Sequence, residues 1–572
     1  MASASGGAPK PALPGFTRID DADDDRLAAF AAGSISIDYA QKRVLVVDAV
    51  QEMRTAMGNT LATLGINKVE YAHRATDAIA TVRRADFDII FCDYDLGSGY
   101  DGLHLLQELR LHNLLKPSVV FVMVTGERRG KLVMSAAEQA PDGYLLKPFT
   151  AEQVKHRLDK LLVRKREFQS LDQAMLRQDY FKALAECNDH LKSSSPYVLD
   201  YLKMKGNIAL TIGDNQLAKT AFDAARELKD LPWVRIGLGK ALFGLKQYDE
   251  ARSLFQSVLA ENNKVMEAYD WLARIYLAEH HADDAQQILS KAVDMSPAVV
   301  NRQKKLGDVA LKNHDFSTAA KSFRDAITLS KNSFWRDAAD YVSLSKAQIG
   351  NGDTEDALKT AAEVRREFRG DTRASMLATL VECKTFLAQG QTDRANATLD
   401  KARQLADEST GLPDHFVLEL AETCYQLDRD HLGKSLVQQI LRNHHEDSDM
   451  LERINSMYEA VGREDEGQQV IEESARAIVA INNEAVRMAQ SGNLEGAVEK
   501  FIHAVDEMPA NVSVMLNAVN ALLAYVGSKG WHQRYMTLAR EYLDRVAALQ
   551  PASVKYLKLK DAYAGTMKKF SK

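Results

Sequence analysis

Between residues 43 and 146, short apolar runs alternate with amphipathic stretches. Val44 to Val47, Phe87 to Cys92, Val119 to Val124 and Tyr144 to Leu146 are almost continuously hydrophobic, the pattern of strands covered on both faces. Strands are predicted at Arg43–Val47, Lys68–Ala72, Phe87–Cys92, Val119–Thr125 and Gly143–Leu146. Helices are predicted near Gln51–Leu64 (ended by Gly65), at Ala75–Ala85, at Gly102–Asn113, after Arg128 and from Ala151. Five βα units of this kind make an α/β doubly wound, five-stranded parallel sheet with right-handed crossovers. No Gly or Pro occurs from Ala151 to Ser195, so the fifth helix is expected to run on into the next segment or to dock directly onto it.

Beyond Phe168 the strand pattern vanishes and an internal repeat takes over. Small residues recur at Gly206, Gly239, Ala273 and Gly307, with spacings of 33, 34 and 34. A second series, Ala218, Ala251, Ala285 and Ala319, keeps the same spacings, and later Ala319, Ala357, Ala395 and Gly433 are 38 apart. Small residues let paired helices approach closely, and prolines such as Pro297, Pro509 and Pro551 stop the second helix of a pair. Gly213-Asp214, Gly352-Asp353 and Gly492-Asn493 fit tight turns within pairs. A period near 34 residues is the signature of a helix-turn-helix solenoid. About eleven helical pairs are expected from Phe168 to Gln550, then a closing helix near Ser553–Lys568. The whole is multidomain: a tail at 1–40 rich in Pro, Gly and Asp, an α/β domain at 41–163 and an all-α superhelical solenoid at 164–572.

Composition narrows the functions. The 572 residues carry a net charge of −6, which gives no case for non-specific nucleic-acid binding. Cys92, Cys187, Cys383 and Cys424 are scattered, with no C-x-x-C pair and no zinc or disulfide framework, as in a reducing cytosol. No apolar run reaches the length of a membrane span, and the first residues do not read as a secretory signal.

The candidate chemistry lies at one edge of the sheet. Asp93 follows the third apolar run, Asp48 the first, Thr125 the fourth-strand run and Lys147 the last, just before Pro148. The carboxyl ends of the strands are where open α/β sheets bind ligands. Taken singly, Asp48 could be a helix N-cap, Thr125 a strand-end hydroxyl, Tyr144 a half-buried core ring and Lys147-Pro148 a turn. Their joint occurrence resembles the receiver domain of bacterial two-component response regulators, the CheY-like (flavodoxin-like) fold, over about Lys42 to Leu162.

The resemblance implies that Asp93 is the phosphoacceptor of a histidine kinase or phosphotransfer protein. It implies Mg2+ held by Asp48, Asp93 and the backbone carbonyl of Asp95. Lys147 would pair with the phosphoryl oxygens, and Thr125 and Tyr144 would be the switch pair. Two departures stand out. Ala49 occupies the place of a second metal-binding acid, and Asp95 stands where many members have Asn, in a loop one residue longer than usual. Weak Mg2+ binding is therefore expected, unless Asp95 leans in.

The solenoid is similar to tetratricopeptide repeats (TPR): YDEARSLFQSVLAEN at 248–262 and FSTAAKSFRDAITLS at 316–330 look like second helices of such repeats. That implies a groove for an unidentified protein partner. Lys203 and Asn207, four apart on a first helix, resemble the start of a carboxylate clamp whose continuation is missing.

The leading expectation is a bacterial cytoplasmic response regulator that signals through protein–protein contacts. It would not be an enzyme beyond self-phosphotransfer and autodephosphorylation, and it could dimerise through the receiver. The alternative is a scaffold with a phosphorylation-independent pseudo-receiver, suggested by Ala49. A DNA-binding regulator is disfavoured by charge and by the lack of a basic terminal module.

Overall fold

A computed structural model describes residues 37–97, 101–111, 114–116, 118–126, 141–193, 196–331, 335–409 and 412–570, with side chains omitted at 107 and 111. The predicted tail and the predicted helix after Arg128 lie outside the described residues. The chain forms two compact units, one ending at Arg336 and the other beginning at Asp337.

The first unit opens with the α/β domain. Strands β1 (Arg43–Val47), β2 (Lys68–Ala72), β3 (Ile89–Asp93), β4 (Val120–Thr125) and β5 (Gly143–Leu146) pair in parallel in the order β2-β1-β3-β4-β5. Helices α1 (Gln51–Thr63), α2 (Ala75–Arg84), α3 (Gly102–Leu111) and α4 (Ala151–Glu167) accompany them. Every residue of β3 and β4 is buried, which explains their unbroken apolar runs. Strand order reverses between β1 and β3, so the topological switch point lies there.

Strand β3 starts and ends later than the apolar run suggested. The Asp88 carboxylate meets Lys42 Nζ and the Arg43 amide, both at 2.9 Å, so Phe87 and Asp88 precede the ladder. Asp93 is drawn into it, opposite Val124.

Helix α4 starts in a capping box between Thr150 and Gln153 and runs to Glu167. A single residue, Phe168, separates it from α5 (Gln169–Leu176). Buried Phe168 packs on the rings of Tyr197 and Tyr201, with centroids at 5.7 and 4.9 Å. Arg164 bonds Asp200 at 2.8 Å, and Tyr201 donates to Glu167 at 3.0 Å. The two parts are thus joined by a docked helix rather than a flexible linker, as the glycine-free stretch suggested.

The solenoid then builds up in helical pairs: α5 with α6 (Tyr180–Lys192), α7 (Val198–Thr211) with α8 (Asn215–Leu228), and α9 (Pro232–Gly244) with α10 (Tyr248–Glu261). Then come α11 (Met266–Ala278) with α12 (Ala282–Met295), and α13 (Val300–Lys312) with α14 (Phe316–Ser330). The repeated small position has a direct cause. A Cβ on Gly206, Gly239 or Gly307 would lie 2.5, 2.6 or 2.7 Å from the ring of Phe222, Phe255 or Phe323, each sixteen residues further on. Where Ala273 takes the glycine position, the residue sixteen on is Leu289, in the same core cluster, so a smaller partner makes room for the extra methyl.

The turns share a second constraint. Gly213, Lys246, His280 and His314 occupy one repeat position and all have positive φ, between 56° and 78°. His280 and His314 are therefore left-handed turn residues.

The second unit continues the pattern with α15 (Ala338–Gly350), α16 (Thr354–Glu367), α17 (Thr372–Ala388), α18 (Thr392–Glu408), α19 (Asp414–Gln426), α20 (Asp430–His444) and α21 (Ser448–Ala460). It ends with α22 (Glu464–Gln490), α23 (Leu494–Glu507), α24 (Val512–Lys529), α25 (Gln533–Leu549) and the closing α26 (Val554–Phe570). Helix α22 is 27 residues long and packs on both α21 and α23, so it serves two successive pairs. With that sharing, the described helices α5–α25 make eleven pairs. Lys346, Lys384 and Glu422, spaced by 38, meet with Glu419 in an ion-pair quartet: Lys346 lies 2.7 Å from Glu419 and Lys384 lies 3.1 Å from Glu422.

Gly239→Ala should lower stability to chemical denaturation by about 1–3 kcal/mol, because Phe255 has nowhere to move. Gly565→Ala, in open space on α26, should be neutral or stabilising by about 0.5–1 kcal/mol. Equal effects of the two would contradict the close-approach account.

Candidate active site at the sheet edge

Register alone brings the predicted residues together. Val47 is opposite Cys92, so Asp48 and Asp93 leave neighbouring strands side by side at the switch point. Thr125 ends β4 beside Leu146, and Lys147 comes directly after β5, its amide donating to the Thr125 carbonyl at 2.9 Å. Asp48, Asp93 and Thr125 are all buried. The Lys147–Pro148 peptide is cis.

One ammonium joins two carboxylates. Lys147 Nζ lies 2.7 Å from Asp48 Oδ2 and 3.0 Å from Asp93 Oδ2. Asp48 Oδ1 accepts from the Val50 amide at 2.8 Å, so Asp48 also shapes the entry to α1. Arg54 donates to the backbone carbonyls of Asp48, at 2.6 Å, and Ala49, at 3.1 Å, holding the β1–α1 turn. Burial is the largest influence on the Asp93 carboxyl and pushes its pKa up; Lys147 pulls it down without cancelling the rise, and Asp48 adds to it. Burial works against the charge on Lys147, but Asp48 and Asp93 outweigh it and its pKa is raised as well. Asp93 holds its proton more tightly chiefly because it is buried, and Lys147 because two carboxylates surround it.

Ala49 is exposed at the lip of the pocket and offers no side-chain donor. The Asp95 side chain is exposed and accepts from the Gly97 amide at 2.9 Å, so it closes its own turn rather than leaning in for Ala49. Tyr144 is half-buried against the core under β3 and α3. The Lys203 ammonium sits over the Trp233 ring, 4.7 Å from the centroid, and Asn207 lies on the same helix. Among the described residues no group of three or more His, Cys, Asp or Glu side chains is arranged to hold a metal. The donor set available to a divalent cation is therefore two carboxylates and backbone carbonyl oxygen. That suits Mg2+, which is commonly held by one or two carboxylates and keeps several waters.

Residues 44–159 match the response regulator receiver domain family. Over 122 residues the chain is 34% identical to chemotaxis protein CheY-3 of Vibrio cholerae, covering 21% of this chain and 92% of that protein. The chain belongs to the response regulator receiver family. A second relative, chemotaxis protein CheY of Pseudomonas aeruginosa, is 32% identical over 122 residues, 21% of this chain and 97% of that one. Residues 203–265 and 242–298 match tetratricopeptide repeats. Among solved structures, the tetratricopeptide-repeat protein YrrB, described as having an unusual peptide-binding site, aligns at 20% identity with a TM-score of 0.28, over 33% of this chain and 93% of that one. The two family matches make the protein a receiver followed by a TPR solenoid, and no described helix is long and apolar enough to cross a membrane.

Sequence reasoning missed Arg54, which carries no motif: only the folded turn shows its two carbonyl contacts.

The raised Asp93 pKa has a stability consequence. Between 3.8 and its folded pKa the folded protein keeps a proton that the unfolded chain has lost, so stability falls as pH rises through that window and stays lower above it. Lys147 gives the same slope at higher pH: its stabilising contribution is present below 10.5 and is lost as pH rises past its folded pKa. Asp93→Asn should therefore unfold at higher urea than the wild type at pH 7, with the gain shrinking as pH falls towards the ordinary carboxylate range. No gain at pH 7 would contradict the charge-deficient pocket.

Proposed function

We propose that this protein is a response regulator of a bacterial two-component phosphorelay. Asp93 accepts a phosphoryl group from the phosphohistidine of a kinase or phosphotransfer protein, and the TPR solenoid passes the state to a protein partner. The observation that carries this reading is the contact of Asp93 and Asp48 with one Lys147 ammonium at the switch point.

A carboxylate oxygen of Asp93 attacks phosphorus, the P–N bond breaks, a P–O bond forms, and the imidazole leaves carrying the electron pair. Lys147 is placed to follow the charge onto the phosphoryl oxygens as a point charge. Thr125 ends the neighbouring strand, and in this reading its hydroxyl donates to the same group. Asp48, Asp93 and the Asp95 carbonyl are the residues that would hold Mg2+, which supplies charge shielding during transfer. The missing acid at Ala49 makes that binding weak. Tyr144 is the residue that would respond to Thr125. Beyond phosphoacceptance and autodephosphorylation no enzymatic activity is proposed, and the setting is cytoplasmic.

A second reading, a constitutive scaffold with a frozen receiver, is favoured by two details: Ala49 offers no donor, and the Asp95 side chain is committed to Gly97. Beryllofluoride, a stable phosphoryl mimic, separates the two. Mg2+-dependent uptake by the full chain should occur and be abolished in Asp93→Asn, and Ala49→Asp should lower the Mg2+ requirement by about tenfold. No uptake by the wild type at millimolar Mg2+, with uptake restored by Ala49→Asp, would establish the scaffold reading.

A further inference from the structure

In the first unit the first helices of successive pairs lie side by side. Helix α7 packs on α9 and α9 on α11, while Ala273 of α11 and Leu306 of α13 share one core cluster. Cations recur on the face these helices share. Lys203 of α7 sits over Trp233 of α9, as described above. Lys240 of α9 pairs with Glu267 of α11 and lies 5.9 Å from the Trp271 centroid. Arg302 of α13 bonds both oxygens of Asp270, at 3.0 and 2.8 Å. Arg274 lies over the Trp271 ring at 4.5 Å, and that ring packs on Phe243 and Phe255 with centroids at 5.3 and 6.2 Å.

Carboxylates run short at α11 and α13. Lys240 takes Glu267 and Arg302 takes Asp270. Arg274 is one turn from Asp270 and Lys305 is one turn from Arg302, so two further cations flank that ion pair. Among the described residues no ion pair joins Arg274 or Lys305 to a carboxylate; the exposed acid Asp308 lies one turn further along α13. Arg274 is exposed and Lys305 half-buried. Burial lowers the Lys305 pKa, and Arg274 and Arg302 add to the fall that Asp270 only partly offsets. An ammonium half-withdrawn from water without a counter-ion gains from an added carboxylate.

The densest acidic run in the chain is Asp20 to Asp25, five aspartates in six residues, between Arg18 and Arg26. It lies outside the described residues, but its point of attachment is fixed: Tyr39 donates to Asp159 of α4 at 2.6 Å. Asp25 and Asp20 precede Tyr39 by 14 and 19 residues, up to about 48 and 65 Å of extended chain. From Asp159 to Glu167 along α4 is about 12 Å, and each step on to α7, α9, α11 and α13 is about 8–10 Å. Even laid end to end these steps total about 50 Å, within reach of the run.

We propose that the acidic segment Asp20–Asp25 docks in cis on the face formed by α11 and α13, with its carboxylates on Arg274 and Lys305. Exposed charge pairs are individually weak, but a tether of this length holds the segment at about millimolar effective concentration, so a weak intrinsic affinity gives high occupancy. A docked segment covers the charges that an acidic peptide from outside would use, and such a peptide has to displace it. This docking is independent of the chemistry at Asp93.

Full-length protein tests it. A carbodiimide, which joins a carboxylate to an amine in contact with it, should link Lys305 to one of Asp20–Asp25, read by mass spectrometry after digestion. In a mixture of isotopically light and heavy protein the linked peptides should carry a single isotope. The link should fall about fivefold or more at molar salt, and likewise in Arg274→Glu, which keeps Lys305. A synthetic peptide spanning residues 17–27 should bind the full-length variant D20N/D21N/D23N/D24N/D25N about tenfold more tightly than wild type, because the competing segment has lost its charge. Absence of the Lys305 link overturns docking on this face. Mixed-isotope links overturn docking in cis and assign the segment to a second copy. Equal peptide affinity for the two proteins overturns occupation by the chain's own segment and leaves the face open to an acidic segment from outside.

Discussion

The sharing of one buried ammonium between two buried carboxylates is the interaction on which the first domain turns. Asp48 and Asp93 leave adjacent strands at the point where strand order reverses, so each would repel the other without Lys147. The lysine satisfies both only in part. The resulting deficit of positive charge is costly to the resting fold, and in the proposed reading it is what a divalent cation would relieve. Binding chemistry and stored instability are the same feature here, a common trade at functional sites.

The solenoid rests on a different constraint, that of volume. In three pairs a glycine on the first helix admits a phenylalanine from the second, and the pair with Ala273 has Leu289 in its place. Where the period lengthens, the same logic persists with other residues: Gly433 lies against Tyr425 and Gly467 against Tyr458. Such stacking makes each pair depend on its neighbours. A signal delivered at one pair can therefore be felt along the stack of its unit without any large rearrangement.

Between these two systems stands a short, stiff junction. Helix α4 passes through Phe168 into the repeats, with Arg164, Glu167 and Phe168 engaged on α7 or its N-cap. A receiver docked in this way is a different device from one tethered by a flexible linker.

The amino-acid sequence by itself determined the strand set, the parallel sheet, the repeat period and the cluster of Asp48, Asp93, Thr125 and Lys147. These arise from local periodicity, and in a parallel sheet successive strand ends converge on one edge. It also exposed Ala49, since a missing acid is visible without coordinates. Only the tertiary structure decided that Phe87 and Asp88 lie outside β3, that Asp95 closes its own turn, that Arg54 holds the β1–α1 turn and that α22 serves two pairs. Each of these depends on which distant group a side chain finds, and residues far apart in sequence carry no shared pattern that would announce the meeting.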